Sequence, residues 1–328
     1  MSAFTPSAFT PGITVIIPTY KRPADLDRCL AAIDAQLLKP VEVLVTYRPE
    51  DEATKAYLAR TDRPGLSART ILCDMPGQVY AMTIAIDNVR SEFLAFTDDD
   101  AAPKPDWLAN IVAHFNADAN VGGVGGKDHV CAGGEWFEGA EPVVGRVRWN
   151  GTSIGHHHLG VGPARYVETL KGVNMAFRRS AMGDLRPDSR LRGAGAQVGS
   201  DMHLSLSLVA RGYKLIYDPL VLVDHFPAPR PVEEDRAAFH PEAHRNEIFN
   251  RTLIVLDFLG TQRWGTLRRL AFLAYVGARG SRRAPGLLLL AYGLLTRYPD
   301  TWARFKATFA AYGDAIATVR KASTQRKR

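Results

Sequence analysis

Between residues 13 and 96, short apolar runs alternate with helix-like stretches, and this alternation restricts the fold more than any other feature of the chain. Ile13-Thr14-Val15-Ile16-Ile17 is a β-rich run stopped by Pro18, and Pro23-Ala24-Asp25 opens an apolar-periodic stretch that reaches Leu37. The same unit recurs: strand at 41–45, helix at 52–59, strand at 70–73, helix at 78–89, strand at 93–96. Such alternation predicts an α/β protein whose central sheet is mostly parallel and Rossmann-like, with helices on both faces. Ligands of these sheets bind at the carboxyl ends of the strands, which directs attention to the loops at 19–22, 46–51 and 98–100.

The pattern then changes. A helix over 106–115 is followed by the run Gly122-Gly123-Val124-Gly125-Gly126 and a second glycine-rich stretch, 145–162, which together predict loops and short strands lining a surface. A helix at 204–210 and a strand at 215–223 precede a break at Pro227, Pro229 and Pro231, and residues beyond 242 read as mainly helical. With 328 residues the chain divides into one α/β domain, 1–240, with a nucleotide half at about 13–120 and an acceptor half at 121–240, and a helical segment, 241–328.

Charge is unevenly shared. Residues 261–328 hold 14 Arg and Lys against Asp300 and Asp314, so this segment carries +12 of a net +7 and leaves −5 on the first 260 residues. A basic tail on a mildly acidic domain suits an anionic surface, and no nucleic-acid motif accompanies it. Trp264, Leu267, Leu270, Ala271, Ala274 and Tyr275 recur at helical spacing beside Arg263, Arg268 and Arg269, and 287–295 is a second apolar run. Both are too short to span a bilayer, so they read as helices lying on a membrane or packed on protein. Cys29, Cys73 and Cys131 show neither disulfide nor metal-ligand spacing, and no signal-peptide pattern precedes Ile13. These features predict a cytoplasmic protein, peripheral on the inner face of the plasma membrane.

Phe96-Thr97-Asp98-Asp99-Asp100 concentrates chemistry, because three carboxylates at a strand end repel one another unless something cationic joins them. Their hard oxygens suit Mg²⁺ or Mn²⁺ shared with substrate phosphates; a solvated turn or helix cap is the structural alternative.

In sequence order, four segments resemble the inverting glycosyltransferases of family 2, which have the GT-A fold. Val15-Ile16-Ile17-Pro18-Thr19-Tyr20-Lys21-Arg22 is similar to the opening strand and donor loop. Residues 93–100, followed by Pro103-Lys104-Pro105-Asp106-Trp107-Leu108, are similar to the acidic metal motif and its helix. Lys171-Gly172-Val173-Asn174-Met175-Ala176-Phe177 resembles the acceptor-side strand, and Gly199-Ser200-Asp201-Met202 the general-base motif.

The resemblance implies transfer of a sugar from a nucleotide-diphosphate sugar, UDP-linked by default, to a hydroxyl on a carbohydrate or lipid-linked acceptor. It implies a metal held by Asp98, Asp100 and His225, donor contacts from Pro18, Thr19, Tyr20, Arg22, Asp98 and Asp99, an acceptor pocket at Gly172, Asn174 and Met175, and Asp201 as base; Arg48 and Gln78 are further donor-contact candidates, each with a plain surface role as the alternative. Two departures stand out. Ser200 replaces the first acid of the base motif, so the role rests on Asp201, which is also placed to cap its helix. Thr46-Tyr47-Arg48-Pro49-Glu50-Asp51 replaces the usual nucleotide-base turn. His156-His157-His158 reads as acceptor-side loop, with metal binding secondary. A non-catalytic binding protein and a nucleotidyltransferase are the alternatives, the latter lacking its usual Gly-rich basic loop.

Overall fold

A computed structural model describes residues 9–61, 63, 65–193, 195, 197–228 and 239–325. Pro229 and Pro231 of the expected break, and the chain before Phe9, lie outside the described residues. The first half follows the expected alternation: β1 (Thr10–Pro18), α1 (Pro23–Asp34), β2 (Glu42–Tyr47), α2 (Glu52–Arg60), β3 (Ala68–Leu72), α3 (Gln78–Asn88), β4 (Ser91–Phe96), β5 (Ala101–Pro103) and α4 (Trp107–Ala117). There follow β6 (Val121–Ala132), β7 (Glu135–Trp136), β8 (Arg146–Val147), β9 (Ser153–Ile154), β10 (Arg165–Val167), β11 (Met175–Arg178), α5 (Arg179–Met182), α6 (Ser200–Ala210) and β12 (Lys214–His225). Four helices close the chain: α7 (Pro241–Thr261), α8 (Gly265–Ala278), α9 (Leu287–Leu295) and α10 (Thr301–Gln325).

The main sheet has ten strands in the order β10-β12-β6-β11-β4-β1-β2-β3, with β5 on β12 and β7 on β6. β3, β2, β1 and β4 are mutually parallel, β6 and β12 are parallel to each other, and β11 runs against both β4 and β6. Side chains alternate across the pleat. Ile13, Val15, Ile17, Val43 and Val45 therefore face α1 and α4, where Leu26, Ile33, Trp107 and Phe115 complete one core. Ile16, Leu44, Leu94 and Phe96 face Met82, Ile86, Leu204 and Leu208 on the other side.

The run 122–126 corrects the expectation of irregular loops, since it forms the first half of the long strand β6 and is buried throughout. Its glycines are there for close approach rather than flexibility. A Cβ on Gly126 would stand 2.0 Å from the Val221 carbonyl oxygen, and one on Gly125 would stand 2.5 Å from that of Asn174. Only the stretch after it, with its two-residue strands β8 and β9, is irregular as expected.

A third core joins the helical segment to the domain. Phe249, Leu253, Leu256 and Leu259 of α7 pack with Ala311, Tyr312 and Ala315 of α10 and reach Val79, Leu191 and Leu206. Burial of each of these leucines and of Phe249 contributes roughly 1.5–3 kcal/mol. Among the described residues no helix is long and apolar enough to cross a membrane.

Candidate functional site

The acidic triplet lies where β4 ends, beside the ends of β1 and β12. Short β5 pairs antiparallel with β12 and sets His225 opposite Ala101, so the imidazole meets the residue before it, Asp100. His225 Nε2 is 3.5 Å from Asp100 Oδ1, and its Nδ1 is 3.7 Å from Asp128 Oδ2. From the loop after β1, Thr19 Oγ1 donates to Asp99 Oδ2 at 2.7 Å, while Arg22 reaches Asp99 at 2.8 Å and Asp100 at 3.1 Å. The Ala228 N–H donates to Asp100 Oδ2 at 3.0 Å.

Charge repulsion within the triplet is thus already relieved in part by Arg22 and His225, and does not by itself demand a metal. Burial pushes the Asp99 carboxyl up to about 7, against Arg22 and the Thr19 hydroxyl. Burial also works upward on Asp100, but contact with His225, the Ala228 N–H and Arg22 bring it down to about 2. Burial works downward on His225, and contact with Asp100 and Asp128 raises it to about 9.

A divalent cation nevertheless fits. Ligand atoms of Asp98, Asp100 and His225 lie within 4.8 Å of one another. Asp100 Oδ1 and His225 Nδ1 are buried and make no well-aligned hydrogen bond among the described residues. Two carboxylates with one imidazole form a donor set suited to Mn²⁺ and acceptable to Mg²⁺.

Two residues of this centre escaped sequence reasoning. Asp128 on β6 is wholly buried, touches His225 and pairs with Lys171, which together hold its carboxyl below the usual range against the effect of burial. Asp51 is 1% exposed and ties two loops together, accepting from the Lys21 N–H at 2.5 Å and capping α2 through the Thr54 N–H at 3.0 Å. A single acid after a buried glycine run was the one available signal for Asp128. Lys21, at φ +57°, is held in the left-handed region between Tyr20 and Arg22, a strained conformation in a loop facing the acids.

Lys171 leads directly to the second half of the site. The N–H of its neighbour Gly172 donates to Asp201 Oδ2 at 3.2 Å, and the Met202 N–H donates to Asp201 Oδ1 at 2.7 Å. Gly199, at φ +106°, occupies the N-cap position of α6, so Asp201 sits inside the first turn and is not the cap.

The other expected positions divide. Pro18 ends β1 and Thr19 is buried, whereas Tyr20 is exposed. Arg48 is paired with Glu50 at 2.6 Å. Gln78 starts α3, where its N–H donates to the Gly195 carbonyl. Asn174 and Met175 are both buried. Asn174 is 1% exposed, accepts from Trp107 Nε1 at 2.9 Å and donates to the carbonyls of Lys127 and Val221. Met175 belongs to the core around Leu94. Of the three expected acceptor-side residues, Gly172 is the one whose N–H reaches Asp201. His157 is likewise structural, buried with Nε2 2.8 Å from the Thr169 carbonyl oxygen.

Known proteins share this arrangement of elements. The family model for "Glycosyltransferase like family 2" matches residues 11–239. A pre-mycofactocin glycosyltransferase of Mycobacterium tuberculosis is 24% identical over 217 residues, 65% of this chain and 42% of that protein. Glycosyltransferase AglE of Haloferax volcanii is 30% identical over 121 residues, 36% of this chain and 39% of that one. The chain therefore spans less than half the length of these curated relatives. Among solved structures, the mannosyltransferase PcManGT of Pyrobaculum calidifontis, in complex with GDP-Man and Mn²⁺, superposes with a TM-score of 0.54 at 22% identity, over 93% of this chain and 87% of that one. TarS (residues 1–349) of S. aureus gives 0.58 at 12% identity, over 95% and 92%. The sheet is that of the GT-A fold, and with the family model matched over more than half its length, this chain belongs to the glycosyltransferase-like family 2.

Proposed function

We propose that this protein is an inverting, metal-dependent hexosyltransferase that takes a sugar from a nucleotide-diphosphate donor, UDP-linked by default, to a hydroxyl of a carbohydrate or lipid-linked acceptor. Residues 1–240 supply the catalytic domain, and the helical remainder places it against the inner face of the plasma membrane, in polysaccharide or glycolipid assembly.

One observation carries the reading. The acidic centre and Asp201 stand at two ends of a connected chain of contacts, Asp100–His225–Asp128–Lys171, with Gly172 next in sequence touching Asp201. The GDP-Man and Mn²⁺ bound by PcManGT lend support.

Asp201 takes the acceptor proton as the hydroxyl oxygen attacks the anomeric carbon and the bond to the diphosphate breaks. Gly172 and Met202 N–H groups orient its carboxylate. Arg22 and Lys171 place positive charge where the diphosphate gathers negative charge. A divalent ion on Asp98, Asp100 and His225 would neutralise the leaving group further. One displacement suffices, so the anomeric configuration inverts.

Screening nucleotide sugars by thermal shift with Mn²⁺, then following nucleoside-diphosphate release and product configuration by NMR, tests the proposal. Absence of both donor binding and hydrolysis across the panel would instead favour a non-catalytic binding protein, a reading to which the Arg48–Glu50 pair and Ser200 lend weight. Release of pyrophosphate would point to nucleotidyl transfer.

A further inference from the structure

α9 has the sequence Leu-Leu-Leu-Leu-Ala-Tyr-Gly-Leu-Leu and no polar face, yet Gly293 is its one buried residue. Leu288 is 66% exposed and Leu295 85%, and Leu287, Tyr292 and Leu294 are exposed with them. A nine-residue helix is marginal alone, and one that is apolar all round belongs in an apolar setting. Further exposed apolar side chains are Trp264, just before α8, Leu267 and Leu270 of α8, and Tyr298 and Trp302 near the start of α10. α8 and α9 form one hairpin, closed by the Gly286 N–H donating to the Arg279 carbonyl. Exposed apolar side chains gathered on neighbouring elements in this way mark an interaction site.

Charge selects the occupant. Between residues 261 and 313 there are nine Arg and Lys and one acid, Asp300. A second copy of the chain would bring like charges together, whereas an anionic bilayer neutralises them. At about 14 Å α9 is far too short to span roughly 30 Å of hydrocarbon, but it is long enough to lie in the interface. A cavity of about 250 Å³ opens beside it, lined by Arg282, Leu289, Tyr292, Thr296 and Tyr298 among others. One cation, four hydroxyls (Thr301 the fourth) and an apolar wall suit a phosphate headgroup with the start of its acyl chain.

We propose that the α8–α9 hairpin is a lipid-docking surface, with α9 immersed in an anionic phospholipid leaflet and Arg282, Tyr292 and Tyr298 meeting a headgroup. This rests on the peripheral placement given above and names the face that performs it.

Co-sedimentation of the full chain with phosphatidylglycerol-containing vesicles, phosphatidylcholine vesicles as control and no sugar donor, tests it. The intact protein should bind the anionic vesicles selectively and lose binding as salt rises. Leu288→Glu with Leu295→Glu should weaken binding by at least about tenfold, and Arg282→Glu with Arg283→Glu should remove the anionic preference. Both pairs lie on exposed positions, and unchanged melting confirms that they fold. If the intact chain ignores anionic vesicles in low salt, the peripheral placement itself fails, with sugar transfer untouched. If it binds but the leucine pair binds equally, another face docks. If it ignores vesicles and is a dimer that Leu295→Glu dissociates, the face belongs to a second copy.

Discussion

Asn250, wholly buried on α7, holds Arg192 from both sides: its Oδ1 accepts the Arg192 N–H at 2.7 Å and its Nδ2 donates to the Arg192 carbonyl at 2.9 Å. The same Nδ2 donates to the Val198 carbonyl at 3.0 Å, two residues before α6. The helical segment therefore braces the loop that presents Asp201. Its grip extends to α10, where Asp314 receives Arg192 at 2.7 Å.

Asn250→Ala leaves one N–H and two carbonyls without their partner, at roughly 1–3 kcal/mol for each buried group left unpaired. Urea unfolding should show a loss of about 2–4 kcal/mol after partial relaxation. Turnover should fall while nucleotide affinity holds, because among the described residues the hydrogen-bond partners of this side chain are Arg192 and Val198 and not the loops at 19–22 and 98–100. A loss below about 0.5 kcal/mol, within the range of an ordinary surface change, would remove Asn250 from this role.

Metal dependence is the second expectation. Calorimetric titration of nucleoside diphosphate should lose at least about tenfold in affinity when chelator replaces Mn²⁺, or about 1.4 kcal/mol. Asp100→Asn should reproduce that loss in the presence of Mn²⁺. Equal affinity with and without chelator would mean that Arg22 and Lys171 bind the diphosphate unaided.

How far the sequence could be read depends on which residues carry their own signal. The units from Ile13 to Phe96 were legible because alternating burial and helical periodicity are local properties, and the loops at 19–22 and 98–100 do meet. Gly125 misled because glycine signals loops statistically, whereas here it clears room for the Asn174 carbonyl, a contact between distant segments. Asn174 was assigned to the acceptor side by resemblance, and its hydrogen bond with Trp107 could not be read there because nothing in its neighbourhood announces that partner. Asp128 carried no motif, its importance arising only from the β6–β12 pairing that brings it to His225. The tail at 261–328 was visible as basic and apolar, but α10 also completes the core of α7, so point substitutions on α9 test its surface more cleanly than deletion would.

His157 sets a pH dependence of stability. Burial lowers its pKa from 6.5, opposed by the hydrogen bond to the Thr169 carbonyl. A depressed folded-state value means that the unfolded chain binds the proton more readily, so stability is full above the free-imidazole value and declines as pH falls through it. Gln at this position can still donate to the carbonyl but does not titrate. In urea unfolding at about pH 7.5 and pH 5, the deficit of His157→Gln relative to wild type should narrow at the lower pH. A constant deficit would show that His157 contributes nothing to the dependence.

Asp201 gives the most discriminating test of the proposed chemistry. Its carboxylate accepts two backbone N–H groups, from Gly172 at 3.2 Å and Met202 at 2.7 Å, and Gly199 occupies the cap position that a purely structural aspartate would be expected to fill. Asp201→Asn keeps the size and one acceptor oxygen but turns an amide NH₂ toward one of those N–H groups. Asp201 is only half-buried, so water can meet the N–H left unpaired and the stability cost should stay at about 1 kcal/mol. As a general base it should matter far more, with transfer falling roughly 10²- to 10⁴-fold while donor affinity and metal response stay near wild type. Comparing Asp201→Asn with Asp201→Glu separates basicity from position: the glutamate keeps a base on a longer arm and should recover part of the rate, which a merely structural role would not allow. A folded Asp201→Asn protein that transfers sugar at most of the wild-type rate would exclude Asp201 as the base. The carboxylates of Asp188, Glu168 and Asp224 would then be substituted in turn under the same assay.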